Sequence, residues 1–274
     1  MSGRLTAPSV NLFVNHPCRF ADLEAEVRLM ILLYALIGLL VGGLLNVCAD
    51  NLPWRRGLRP PQCTYCAQPR DALSWVTVVG YLVGRTRCRH CGAPWPLRHV
   101  LVELVTSVAF AFLWRRYGLT AQLLPATFYV CVFLLVTVTD LEHRLVLNVV
   151  VVPAILFALA CSPLFPDLGW KSSLLGGVVG FVLFYLLARL YPGGMGWGDV
   201  KLAAFVGVVS GFPEVIVALL IGILVGGFVA LFLLLTRRAG LKSGIPYGPF
   251  LVVGGLVGLF YGPEIVAWYL RAYR

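Results

Sequence analysis

Two aspartates stand at the margins of apolar runs. Asp199 closes the glycine-dense turn Gly193-Gly194-Met195-Gly196-Trp197-Gly198-Asp199, and Asp140 ends another run and begins Asp140-Leu141-Glu142-His143-Arg144-Leu145-Val146-Leu147-Asn148. Carboxylates at membrane depth are expensive, so two at helix ends are candidates for function. If they face each other, like-charge repulsion makes them share a proton. The ionised partner then activates water while the protonated one polarises a carbonyl, which is the chemistry of an aspartic protease. Neither His-Glu-x-x-His nor Gly-x-Ser-x-Gly occurs, which removes the motifs of the zinc and serine alternatives. Taken singly, Asp199 reads first as a helix cap, and it is the second carboxylate that turns the reading to function. The glycines before it allow unusual dihedrals and close approach of another backbone. Glu142 and His143 read as solvated loop residues, and Lys201 as an anchor for the helix start or a partner for lipid phosphate.

A second constellation is Cys63-Thr64-Tyr65-Cys66 and Cys88-Arg89-His90-Cys91, two C-x-x-C pairs with 21 residues between them. Thiolates two residues apart in a tight turn grip one ion, and two such pairs make a tetrahedral site for structural Zn²⁺. Four thiolates leave no open position for a hydrolytic water, so the expected role is folding of a loop too small to fold unaided. Two redox dithiols, or His90 as a substitute ligand, are the competing readings. Cys18, Cys48, Cys131 and Cys161 are scattered in apolar context and read as inert buried thiols.

The elements that must position these groups are membrane helices. Of 274 residues 59% are hydrophobic and 12% charged, with a mean hydropathy of +0.87, which excludes an ordinary soluble domain. Residues 1–28 read as an N-terminal tail without a signal peptide, and Met30 as a possible alternative start. A first transmembrane helix occupies 29–49 and a polar loop 50–98. The remainder, 99–274, forms the transmembrane core. Spans are expected at Leu29–Val47, Val100–Trp114, Ala121–Thr139, Val146–Phe165, Leu174–Leu190, Val200–Val209, Val215–Leu235 and Phe250–Leu270, about eight transmembrane helices in an all-α polytopic membrane protein. The run after Asp199 is the shortest and requires a thinned or tilted setting. Recurrent glycines in the last three spans read as packing positions.

The net charge of +10 reports topology rather than nucleic acid binding. Eight arginines (Arg55, Arg56, Arg59, Arg70, Arg85, Arg87, Arg89, Arg98) fall in the polar loop, which the positive-inside rule places in the cytoplasm; the basic loop reads either as a topology anchor that contacts anionic lipid or as a docking surface for a substrate. Alternating the spans from there puts Asp140, the Gly193–Asp199 turn and Arg237-Arg238 on that same face, with Arg115-Arg116 and Arg271 outside.

Read along its length, the chain resembles the bacterial type IV prepilin peptidases, members of the Gly-x-Gly-Asp class of intramembrane aspartyl proteases that also includes presenilins. The resemblance rests on Gly196-Trp197-Gly198-Asp199, on Gly42-Gly43-Leu44-Leu45-Asn46-Val47, on the paired cysteine motifs, on Pro96 to Leu104 (the family's Pro-x-x-Glu-Leu stretch) and on Ile245-Pro246-Tyr247-Gly248-Pro249-Phe250. It implies an aspartic endopeptidase of the bacterial inner membrane with Asp140 and Asp199 as its catalytic pair and zinc held by Cys63, Cys66, Cys88 and Cys91. Its implied substrates are type IV prepilins or type II secretion pseudopilins, whose basic leader is cut at the cytoplasmic face, typically after a glycine. Many members also methylate the new N-terminus with S-adenosylmethionine. The sequence departs from the family at Leu147, where a proline is usual. The rival readings are a presenilin-like protease with other substrates and a non-enzymatic zinc-ribbon membrane scaffold for secretion assembly.

Overall fold

The computed structural model describes residues 17–54, 59–63, 65–70, 75–190, 195–236 and 246–272, with side chains described from residue 24 onward. Residues 1–16, Arg55-Arg56, Thr64, Gly193-Gly194, Arg237-Arg238 and Ile245, all used in the reading above, lie outside the described residues, as does the side chain of Cys18. Among the described residues the regular elements are all helices: α1 (Pro17–Asn51), α2 (Thr77–Leu82), α3 (Leu97–Tyr117), α4 (Leu123–His143), α5 (Asn148–Cys161), α6 (Gly169–Leu190), α7 (Trp197–Ser210), α8 (Glu214–Leu235) and α9 (Gly248–Ala272). Six of these, all but α2, α5 and α7, are long and apolar enough to cross a membrane. With the shorter α5 and α7 they account for the eight apolar runs.

Helix α1 begins at Pro17, inside the segment read as a tail. Residues 22–28 are charged, but they are leucine, glutamate, alanine and arginine for the most part, good helix formers. Arg28 pairs one turn back with Glu24 at 3.5 Å, so hydropathy alone misjudges where the helix starts. The apolar stripe that follows is open: Leu32, Leu36, Leu40 and Leu44 are each more than half exposed. Their four-residue spacing makes one face, and lipid is the medium that matches it.

Helix α7 is the centre of the bundle. From Val200 to Ser210 every residue except Lys201 is buried, against α5, α6, α8 and α9 and, through the ring of Phe205, against Tyr129 and Phe133 of α4. Its side chains join those of Tyr129, Phe133, Val151, Phe184, Val215 and Leu251 in the main core. This corrects the expectation of a thinned or tilted setting. Fourteen residues rise only about 21 Å, but a helix ringed by protein has no mismatch with lipid to relieve.

The close ring depends on the glycines. Gly176 of α6 and Gly207 of α7 face each other so closely that a Cβ on either would strike the other's backbone, and Gly180 meets the Ala203 carbonyl in the same way. Across α8 and α9, Gly254 lies on the Ala218 carbonyl. Small residues let membrane helices approach where no hydrophobic force distinguishes helix from lipid.

Candidate active site

Asp140 sits in the last turn of α4, not beyond it. The helix continues to His143 and stops where Arg144 takes a left-handed φ of 52°, its N–H donating to the Asp140 carbonyl at 2.9 Å. The Asp140 carboxylate is buried. Its Oδ2 accepts the Gly248 N–H at 2.8 Å, so the first residue of α9 points an otherwise orphaned helix N–H at it.

Asp199 is the third residue of α7. Its Oδ2 accepts the Gly196 N–H at 3.2 Å, while its own N–H donates to the Gly196 carbonyl at 3.1 Å. The capping role is therefore present, as half of a capping box. It does not exhaust the residue, because its neighbour Gly198 packs on Val146, six residues beyond Asp140. The C-terminal end of α4 and the N-terminal ends of α7 and α9 thus bring both sequence-selected aspartates to one end of the bundle. Tyr247, one residue before Gly248, packs on Phe184 with ring centroids 6.0 Å apart.

Of the glycines in this turn, Gly196 and Gly198 are among the described residues, and Gly196 does not use the freedom expected of it. Gly196 has φ −81° and ψ 149°, ordinary extended backbone, so it uses no dihedral closed to other residues. Gly198 is needed for space: a Cβ there would lie 2.7 Å from Val146 Cβ. Lys201 donates to Asn148 Oδ1 at 2.8 Å, tying α7 to the start of α5 as the helix-anchor reading expects. Leu147, in the place of the family's proline, caps α5 with φ −77°, already within proline's range. Leu147→Pro is expected to keep activity and to raise stability by about 0.4–1 kcal/mol by restricting the unfolded chain, measured as a higher melting temperature in detergent.

The cysteines form two matching knuckles. Cys63 N–H donates to Gln68 O and Ala67 N–H to Cys63 O; in the second, Cys88 N–H donates to Ala93 O and Gly92 N–H to Cys88 O, all at 2.9 Å. Ala67 and Gly92 occupy equivalent positions with φ of 56° and 71°. Across the knuckles Cys63 Sγ is 3.7 Å from Cys91 Sγ, as Cys66 Sγ is from Cys88 Sγ, and all four sulfurs lie within 4.8 Å. A disulfide needs about 2.05 Å. Four sulfurs each about 2.3 Å from one zinc, arranged tetrahedrally, stand roughly 3.8 Å apart. The donor set therefore fits zinc, and His90 is not among the converging atoms. Cys48, Cys131 and Cys161 are half-buried rather than buried. Cys88→Ser is expected to abolish bound zinc and to open the 59–96 segment to protease, as read by metal analysis and limited proteolysis.

Glu103 escaped the sequence reading as a working residue. Wholly buried in α3, it accepts the Thr77 and Val78 N–H groups at 2.7 Å each and so caps α2 from outside. An acid inside an apolar run was the available signal. Gly248 was visible only as one letter of a resemblance, and its contact with Asp140 spans 108 residues of chain.

Residues 127–231 match the model described as Type IV leader peptidase family, and residues 36–117 match that of the Bacterial Peptidase A24 N-terminal domain. A relative from Aeromonas hydrophila is 31% identical over 86% of this chain and 92% of its own length. The chain belongs to the type IV leader peptidase family. Relatives in Pseudomonas aeruginosa (29% identical, 96% of this chain and 98% of the relative) and Bacillus subtilis (26%, 88% and 98%) share with the Aeromonas protein the name prepilin leader peptidase/N-methyltransferase. No solved structure matches. Both aspartates fall inside the span of the leader peptidase model, and all four cysteines inside that of the N-terminal domain.

Proposed function

We propose that this multi-pass membrane peptidase removes the basic leader from type IV prepilins or type II secretion pseudopilins, using Asp140 and Asp199 as its catalytic pair at the cytoplasmic face of the inner membrane. What supports the proposal is that both aspartates lie at one end of the bundle, Asp140 under the Gly248 N–H and Asp199 in the first turn of α7, where Gly198 packs on Val146. The cysteine loop with its arginines supports that face as cytoplasmic. A prepilin offers an apolar helix preceded by a charged leader, so its scissile bond reaches the depth at which these helices end.

With one proton between them, the ionised carboxylate takes a proton from water as the water oxygen bonds to the scissile carbonyl carbon. The protonated carboxylate hydrogen-bonds the carbonyl oxygen as it gains charge. Collapse of the tetrahedral adduct breaks the C–N bond, and the leaving amine takes up the proton. The Gly248 N–H keeps Asp140 aimed, and capping of α7 does the same for Asp199. In this reading Cys63, Cys66, Cys88 and Cys91 hold zinc, whose contribution is folding free energy for the loop.

Methylation of the new N-terminus is the second part of the proposal, and it rests on the relatives' names. The cavity of about 170 Å³ in the cysteine loop, bordered by Arg70, Arg87, His90 and Trp95, is below the roughly 300–1,000 Å³ usual for organic ligands. It does not fit S-adenosylmethionine, and no step is assigned through that group.

The test is incubation of prepilins with membranes carrying the wild-type chain or Asp199→Asn, followed by mass spectrometry. Leader loss with wild type alone supports the peptidase, and an added mass of about 14 Da on the product supports methylation. No cleavage of a range of prepilins by wild type would turn the reading to the membrane scaffold.

A further inference from the structure

A dense set of charges lies away from the aspartate pair, where α1, α3 and α4 meet beneath the cysteine loop. Arg98, in the first turn of α3, uses one Nη to donate to Glu142 in the last turn of α4. Its other Nη donates to Asp50 in the last turn of α1. The guanidinium side chain is only 20% exposed, and the two carboxylates are 35% and 40% exposed. A second contact joins the same two helix ends: the ring of Trp54, just after α1, stands edge-on to that of His143 at 5.7 Å.

The loop is tied into the same cluster. His99 is buried between Asp50, 3.4 Å from its Nε2, and Arg70 Nη1, 3.2 Å from its Nδ1. Arg70 itself lies over the Trp95 ring at 5.2 Å. Asn46 of α1 donates to the His99 carbonyl at 3.0 Å, and Glu103 fastens α2 to α3. A continuous polar chain therefore runs from the cysteine loop to Glu142, two residues beyond Asp140.

We propose that Arg98 is a positioning residue for peptide cleavage: by holding Glu142 and Asp50 with one guanidinium, it fixes the end of α4 that carries Asp140. The proposal rests on the peptidase reading above. An isolated surface pair has little effect, but this cation separates two anions. Without it Asp50 and Glu142 repel across the α1–α4 junction in a half-buried setting where screening is weak. Asp140 lies on the opposite side of the α4 terminus, against Gly248. A helix transmits displacement along its length, so a shift at Glu142 moves the Asp140 carboxylate relative to Asp199. Proximity effects make a displacement of about 1 Å costly, on the order of 10²-fold in rate.

Kinetics of prepilin cleavage by purified full-length wild type, Arg98→Ala, Arg98→Lys, Glu142→Gln and the Arg98→Ala/Glu142→Gln double variant test this. Arg98→Ala is expected to lower kcat roughly 10- to 100-fold with KM within about threefold. Arg98→Lys should recover part of the loss, and the double variant should be no worse than Arg98→Ala because both changes break one link. A kcat within twofold of wild type, a loss confined to KM, or losses that multiply would overturn the proposal.

A second readout does not depend on activity. A Trp54→Cys/His143→Cys pair should cross-link under mild oxidation, and adding Arg98→Ala should slow it several-fold; an unchanged rate overturns the proposal. If Arg98→Ala does not accumulate, Glu142→Gln takes its place in both measurements. Failure of wild type to cut any prepilin would count against the peptidase reading, while the cross-linking rate would still judge the link between Arg98 and the end of α4.

Discussion

Replacing Asp140 or Asp199 by asparagine is expected to lower leader cleavage by roughly 10⁴-fold while leaving membrane insertion and zinc content unchanged. Asparagine keeps the shape of the side chain and a carbonyl oxygen. Asp140→Asn can therefore still accept the Gly248 N–H, and Asp199→Asn can still accept that of Gly196. What is lost is the ability to exchange a proton, which both halves of the reaction need. Since the carboxylates work on one proton, the double variant should be about as slow as either single one. Single-turnover cleavage followed by mass spectrometry measures this. Cutting by either variant within tenfold of wild type would remove the pair from the mechanism, whatever the rest of the fold does.

Gly248→Ala should come next in effect, lowering cleavage by about 10²-fold. Its Cβ would lie 2.7 Å from Asp140 Oδ2 and 3.1 Å from Cγ. Either the carboxylate turns away or the start of α9 retreats, and both break the 2.8 Å bond that aims Asp140. Gly198→Ala should also be harmful, because a Cβ against Val146 forces the first turn of α7 off the loop between α4 and α5. Gly196→Ala should stay within about threefold of wild type, since its backbone is ordinary and its nearest neighbour would be Asp199 Oδ2 at 3.6 Å, an ordinary contact. The three alanine variants in one cleavage assay separate steric need from motif membership. Equal losses at all three positions would contradict this account of the site.

Much of the protein could be read from residues alone, because the signals concerned are local. Apolar runs identify membrane helices wherever they stand, and C-x-x-C makes a knuckle from four consecutive residues. A carboxylate at the margin of an apolar run is costly enough to mark itself, which is why Asp140 and Asp199 could be selected before their places in the fold were known. Helix ends were less legible. The charged residues before Met30 carry helix propensity that hydropathy ignores, and Asp140 proved to lie within α4 because Arg144 and not Asp140 breaks the helix.

What tertiary structure alone decided is how distant segments meet. The same short run after Asp199 could have been a strained membrane span or the protected centre of a bundle, and only the five helices packed around it choose between them. The Gly248 N–H on Asp140, the grip of Arg98 on Glu142 and Asp50, and the capping of α2 by Glu103 each join residues 25 or more positions apart. Such contacts depend on the packed geometry of whole helices. Composition and spacing are properties of one stretch of chain, so they name the groups able to do chemistry but not the neighbours that aim them.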